Sequence, residues 1–389
     1  MENASYRSLP KHPVLTWSSL RGALLPPLTS IDNLKYTAFT TSGRAAIYQA
    51  LCLLELPAGS TVLVPSYHCP TMVAPIFLAH LKVAYFAIKD DGLPNLSSIE
   101  ETTAQRCKAI LVPHYFGFSN SLREVRDWCD ARDVALIEDC AHCYFGQAGE
   151  RTVGAWGDYA TASLSKFFPV QEGGVLASSR RSVAKLHLKP PTMTAQVKGF
   201  TDVLETSAKF NGLYGLNAGL KLIFKLKKLL KNKVRAGKKI NQDMISYCDM
   251  ARIDNKLLLS SLLIKYFSPS NMIVKKRQRN YAQYENHFKS ATQARPLFDL
   301  TAKDSAAIAP YVFPLWVDDA DRIYQVLKEL NFPVFRWDKL WPGTPIMVND
   351  AGPLWSKHVL QLLCHQDLAS REVDNIAKTI IQLLPQPSA

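Results

Sequence analysis

Ala162-Ser163-Leu164-Ser165-Lys166-Phe167-Phe168-Pro169-Val170-Gln171-Glu172-Gly173-Gly174 sets one lysine between a short apolar strand and a diglycine turn. An amine at a strand end with apolar neighbours is placed to be partly desolvated, which keeps part of it neutral and nucleophilic. Upstream, the apolar run Val134-Ala135-Leu136-Ile137 ends in Glu138-Asp139. That places a carboxylate at the C-terminal end of a strand, where open α/β sheets keep their ligands. Earlier still, Thr41-Ser42-Gly43-Arg44-Ala45-Ala46-Ile47 puts hydroxyls and a glycine before an apolar-periodic helix through Leu51 and Leu54. The amides and dipole of such a helix start favour an anion.

Read one at a time, these signals are ordinary: most lysines are solvated, strand-end aspartates cap helices, and Ser-Gly is a common N-cap. Their order is more telling. A phosphate turn, then an aspartate for a pyridinium nitrogen, then a lysine for a Schiff base are the groups that pyridoxal 5'-phosphate (PLP) chemistry requires of a protein.

The chain resembles the DegT/StrS family of PLP-dependent sugar aminotransferases. The resemblance rests on Ser42 to Ala46, Val64-Pro65-Ser66-Tyr67, Val112-Pro113-His114-Tyr115-Phe116-Gly117, Ile137-Glu138-Asp139-Cys140-Ala141-His142 and Lys166 to Gly174, in the family's order. It is dense over 35–180 and fainter from 250 onward, where Leu363-Cys364-His365-Gln366-Asp367-Leu368 is similar to the closing motif. The resemblance implies a fold type I aminotransferase, an α/β protein with a large, mainly parallel seven-stranded sheet, a small C-terminal α/β domain and a homodimer. It implies Lys166 as the catalytic Schiff-base lysine, Asp139 on the ring nitrogen, His142 against the ring face or phenolic oxygen, and Ser42, Gly43, Arg44 and Ser163 around the phosphate. Cys69 stands where the family often stacks an aromatic on the ring, which leaves Tyr67 or His68 as candidate stacking residues. The family's partner-subunit Asn and Arg motif is not recognisable in Ile245 to Met250.

A chain of 389 residues, 47% of them hydrophobic, has enough material for two domains. Strands are expected at Thr61–Pro65, Val83–Ile88, Ala109–Pro113, Val134–Glu138, Ala160–Ser165 and Val175–Ser178, with helices over 71–81 and 121–132 between them. A helix through Arg277, Tyr281 and Tyr284, a strand Tyr311–Val317, a helix Ala320–Leu330 and a closing helix from Ser370 would build the small domain. The organisation expected is an N-terminal segment 1–30, a PLP-binding domain 31–185, a basic insertion 186–265 and a C-terminal domain 266–389.

Eight cysteines without disulfide-framework spacing, no signal-peptide pattern and no membrane-length apolar run lead to a cytoplasmic expectation. Cys140-Ala141-His142-Cys143 contains a C-x-x-C without a second pair, so no metal is expected. The net charge of +13 is concentrated: nine Lys or Arg and no acid lie between Lys221 and Lys239. Without any nucleic-acid module this does not indicate DNA or RNA binding. The same stretch reads as a basic amphipathic helix. Either its apolar stripe docks on the body, or it attaches to an anionic surface such as the inner face of the membrane, or to an acidic partner.

The activity implied by the resemblance is amino transfer from glutamate or glutamine to a nucleotide-linked keto-sugar, for polysaccharide or aminosugar synthesis. One alternative is a PLP-dependent sugar dehydratase, against which Lys166 stands because dehydratase-like members carry histidine there. The other is a non-catalytic homologue that binds PLP or a sugar nucleotide.

Overall fold

The computed structural model describes residues 9–22, 27–231, 244–300 and 308–385. The chain begins with β1 (Tyr36–Thr40), α1 (Gly43–Leu53), β2 (Thr61–Pro65), α2 (Pro70–Leu78), β3 (Lys82–Phe86), α3 (Glu101–Arg106), β4 (Cys107–Pro113), α4 (Arg123–Asp130) and β5 (Ala135–Asp139). A short ribbon, β6 (Gln147–Ala148) and β7 (Arg151–Thr152), leads to β8 (Tyr159–Ser163) and β9 (Gly174–Ser178). Seven of these strands form one sheet in the order β1-β9-β8-β5-β4-β2-β3. Only β9 runs against the rest, pairing antiparallel with both β1 and β8. The central strands are near-continuous apolar runs because helices or the second domain cover both faces: every residue of β5 is buried, as is all of β4 except Lys108.

Three helices follow: α5 (Met193–Phe210), α6 (Asn217–Lys231) and α7 (Leu259–Phe267). The expected basic helix thus coincides with α6 as far as Lys231, and residues 232–239 lie outside the described residues. The remaining elements are α8 (Ser270–Phe288), β10 (Ala294–Pro296), β11 (Val312–Val317), α9 (Ala320–Glu329), β12 (Val334–Phe335), α10 (Gly352–His358), β13 (Val359–Leu363) and α11 (Ser370–Leu383). Their four strands make a wholly antiparallel sheet, β10-β11-β13-β12. Val373, Ile376, Ala377 and Ile380 recur at helical spacing on the buried face of α11.

One apolar core joins the two sheets. Leu63, Ile110 and Val112 from the large sheet belong to the same buried cluster as Phe313, Leu360 and Leu362 from the small one. Tyr67, Tyr115, Phe116 and Trp355 bridge them, with Tyr67 and Trp355 edge to face at 5.5 Å. The opposite face of the large sheet is covered by α1 and α2 through Ala46, Ile47, Met72 and Ile76. The C-terminal ends of β1, β4, β5 and β8 are left as the floor of a cavity between the two domains.

Candidate active site

The cavity, about 780 Å³ in volume, is lined by Ser42, Gly43, Arg44, Cys69, Asp139, His142, Ser163 and Lys166. All eight residues singled out in the sequence therefore meet in one place, though they span more than a hundred positions. Sheet topology brings them together: each lies at or just after the C-terminal end of a parallel strand of the large sheet, and those ends share one edge of it.

Lys166 closes a single 3₁₀ turn, Leu164–Lys166, directly after β8. The loop that carries it is fastened from both sides. Leu164 N–H donates to Gly173 O at 2.9 Å, and Gly173 N–H donates to Thr41 O at 2.8 Å, so the lysine loop and the start of α1 are tied through the diglycine. Both glycines are required. Gly173 has φ +136°, and a Cβ on Gly174 would lie 2.1 Å from Ser42 O. From the small domain, Arg277 donates Nη2–H to Lys166 O at 2.6 Å, and Gln366 donates Nε2–H to Phe167 O at 2.8 Å. Arg277 is wholly buried, with no carboxylate partner among the described residues. Its other donors go to Gln366 Oε1 and Pro310 O, each at 2.9 Å, and desolvation lowers its pKa to about 10.

Desolvation also lowers the pKa of Lys166, against the opposing pull of Cys69 and Asp139, so a neutral amine is more accessible than on a surface lysine. Its Nζ sits 5.0 Å from the centre of the Tyr311 ring. Asp139, 6% exposed at the end of β5, accepts from Ala141 N–H at 2.9 Å and only distantly from Thr161 Oγ1 at 3.5 Å. Burial raises its pKa, partly countered by Lys166. His142 accepts the Phe116 N–H at Nδ1, 3.3 Å, which leaves the ring proton on Nε2. Burial first, then the charge of Lys166, hold its pKa well below the ordinary value, so it is a neutral donor, stacked on Tyr311 at 4.4 Å.

Ser42 caps α1 by accepting Ala45 N–H at 3.2 Å, which leaves its own hydroxyl proton to donate. Ser163 and Ser165, 3.4 Å apart, face the same helix start, and a Cβ on Gly43 would sit 3.5 Å from Ser163. Arg44 lines the cavity with its guanidinium donating to Tyr247 O. Cys69, the N-cap of α2, lies 2.8 Å from Thr71 Oγ1 through its sulfur. The two candidate stacking residues do not reach the cavity. Tyr67 is 1% exposed inside the inter-domain aromatic cluster, and His68 turns away to stack on Tyr85 at 5.6 Å. The aromatics that do line it are Tyr115 and Trp337, the latter 5.8 Å from His142.

Several wall residues escaped sequence reasoning. α5 contributes Lys198 and Asp202, paired at 2.6 Å, and the stretch before α7 contributes Asp249 and Arg252. Arg252 pairs with Glu172 at 2.5 Å, and its backbone carbonyl accepts the Thr41 hydroxyl at 3.1 Å. His114, Glu138 and Cys140 lie close enough to suggest metal ligands. The Glu138 carboxylate is already filled by N–H groups of Gly154, Trp156 and Gly157 and by His114 Nε2–H at 2.8 Å. Cys143, the other half of the C-x-x-C, bonds separately to Gly117 O at 3.3 Å.

A seven-stranded sheet with one reversed strand, joined to a small antiparallel sheet over a lysine- and aspartate-lined cavity, is the architecture of fold type I PLP-dependent aminotransferases. Residues 31–203 match the model of the DegT/DnrJ/EryC1/StrS aminotransferase family. Among curated relatives, GDP-perosamine synthase of Vibrio cholerae is 25% identical over 170 residues, 42% of this chain and 46% of that one. The chain thus spans about half the length of the curated relatives it matches. Among solved structures, Helicobacter pylori PseC, an aminotransferase involved in the biosynthesis of pseudoaminic acid, superposes with a TM-score of 0.62 at 16% identity, covering 95% of this chain and 97% of that one. The E. coli GDP-4-keto-6-deoxy-D-mannose-3-dehydratase with bound hydrated PLP gives 0.58 at 16%, covering 90% and 88%.

PLP is the cofactor that goes with this family and fold, and the residues present suit it. Asp139 is a desolvated carboxylate with a raised pKa, a state that a protonated ring nitrogen would relieve. The start of α1 offers free amides and hydroxyls without a competing carboxylate of its own.

Proposed function

We propose that the chain is a PLP-dependent aminotransferase that moves an amino group, from glutamate or glutamine, to a nucleotide-linked keto-sugar. The observation that carries the reading is Lys166: a desolvated amine facing Asp139 across one cavity, on a loop bonded to the phosphate-type helix start. PLP, when bound, supplies an electron-accepting ring that stabilises negative charge on the substrate carbon.

The protein's own groups would do the rest. Lys166 Nζ would hold the cofactor covalently and, once displaced, take and return the proton at the substrate carbon, for which a lowered pKa is required. Asp139 would keep the ring nitrogen protonated. The neutral His142 would donate Nε2–H to a ring oxygen. Ser42, Gly43 and Ser163, with the amides of α1, would seat the phosphate, while Arg44 would add charge behind it. Cys69 would border the ring edge. Trp337 would limit water from the small-domain side.

A homodimer is part of this reading. Met193, Val197 and Phe200 of α5 and Leu259, Leu262 and Tyr266 of α7 are exposed beside the cavity, an apolar area that suits a second subunit. Light scattering on the purified protein tests this, and a monomer at working concentration would reject it. The division at residues 185 and 265 also belongs to the reading, and limited proteolysis with mapped fragments tests it.

The deciding experiment is a half-reaction. The protein should purify yellow, bleach on adding glutamate or glutamine, and recover its colour with a nucleotide keto-sugar. Colour that persists through every amino donor would leave a binder instead of a catalyst.

A further inference from the structure

The face of α6 turned to solvent is apolar, the reverse of the usual helix on a protein surface. Leu222, Ile223 and Leu226 are 60%, 59% and 53% exposed. The opposite side holds the helix to the body: Leu220 packs against the apolar cluster around β8 and β9, Lys227 reaches Glu205 of α5 at 3.1 Å, and Lys221 reaches Asn211 at 2.6 Å. Among the described residues, nothing of the same subunit covers Leu222, Ile223 or Leu226. At the N-terminal end of the helix, Tyr214 and Leu216 extend the same exposed surface, at 71% and 51%.

We infer that α6 is an interfacial helix that lays this stripe into an anionic lipid bilayer. Charge decides the occupant. Lys221 and Lys225 flank the leucines on one side; Lys227, on the other, is paired with Glu205, and from Lys221 through Lys239 the sequence itself carries no acid. An isologous contact between two copies through α6 would set lysine against lysine around the symmetry axis, a repulsive arrangement. A bilayer with acidic headgroups meets both requirements at once: phosphates for the lysines and the acyl boundary for the leucines. Fifteen helical residues run about 22 Å, enough for lying in the interface. No described helix is long and apolar enough to cross a membrane, so the contact is peripheral. The inference stands apart from the catalytic reading, since no described α6 side chain lines the cavity.

Co-sedimentation of the full chain with phosphatidylcholine vesicles, with and without phosphatidylglycerol, at low and raised salt, tests it. Pelleting should need phosphatidylglycerol and fall as salt rises. Lys221→Glu with Lys225→Glu should lower the affinity on the order of 25-fold, at about fivefold per lysine. Leu222→Gln with Leu226→Gln should weaken it too, with far-ultraviolet circular dichroism unchanged because these side chains are exposed. Should a double variant misfold, Lys225→Glu alone carries the comparison, since that side chain is exposed. No pelleting at low salt, equal pelleting with neutral vesicles, or unaltered binding by the variants would overturn the inference. So would variants that dissociate a dimer while leaving vesicle binding intact, which would assign the stripe to a second copy.

Discussion

Replacing Gly174 by alanine should damage the site from a distance, while the same change at Gly43 should act inside it. A Cβ on Gly174 would lie 2.1 Å from Ser42 O, 2.3 Å from Ser42 C and 2.5 Å from Thr40 Oγ1. Ordinary contact begins about 1 Å further out, and the atoms met are mostly backbone that cannot rotate aside. Ser42 O is also the acceptor of the first α1 hydrogen bond, from Ala46 N–H at 3.0 Å, and of the Thr40 hydroxyl. Relief therefore requires moving the start of α1 away from β9. Overpacking of this kind costs about 1–3 kcal/mol, and the upper end applies where backbone must move. A shift of roughly 1 Å in a ligand-positioning element costs on the order of 10²-fold in rate. At Gly43 the added Cβ meets Ala162 O and Ser163 Cβ at 3.5 Å, an ordinary distance. Alanine there should leave stability equal or higher, by up to about 1 kcal/mol from helix propensity, while crowding the phosphate seat. Urea denaturation reads the stability and absorbance titration with PLP reads the affinity. Gly174→Ala should lose both, and Gly43→Ala only the second. If Gly174→Ala denatures within about 0.5 kcal/mol of the parent and binds PLP equally well, the contact between the diglycine and the helix start does not hold the site together.

Lys166→Ala should keep the fold and abolish turnover; after borohydride treatment of the parent, peptide mapping should find the cofactor on Lys166, and its recovery on another lysine would refute the assignment. Asp139→Asn should retain PLP but lower kcat and kcat/KM together by about 10²-fold, the loss of a charged partner worth roughly 3 kcal/mol, and unchanged turnover would show that another acid serves the ring nitrogen. Asp367, half-buried and accepting Val14 N–H at 3.0 Å, has its pKa raised by desolvation to about 6 from 3.8. The native state therefore binds the proton more tightly than the unfolded one, and stability falls as pH rises from about 4 to about 6. Asp367→Asn keeps an acceptor for Val14 and removes that loss. It should equal the parent near pH 3.5 and exceed it by up to about 3 kcal/mol at pH 7, and a pH-independent difference between the two would refute the burial argument.

What the sequence reveals and what it withholds divide along a physical line. β2, β4 and β5 are legible because strands covered on both faces must be apolar throughout, and their C-terminal ends then locate Asp139 and, one strand over, Lys166. β1 gives no such signal: Tyr36–Thr40 is half-buried along most of its length and is ordered by pairing with β9. The wall residues are invisible for a different reason. Arg252 and Glu172 meet across eighty positions, and Trp337 comes from the segment after β12 of the small sheet, so no local spacing encodes them.

Arg277 shows the limit most clearly. Periodicity marks it as one residue on the inner side of α8, yet apart from Gln366 Oε1 its partners among the described residues are the backbone carbonyls of Pro310, Tyr311 and Lys166, which leave no trace in side-chain pattern. A buried guanidinium without a carboxylate is costly, as its lowered pKa attests, and its bonds are what offset that cost. The fold retains a charge there, where with Gln366 it fastens the small domain to the lysine loop. A rigid amine at the floor of the cavity therefore depends on the relation between the two domains as much as on the motif that first drew attention to Lys166.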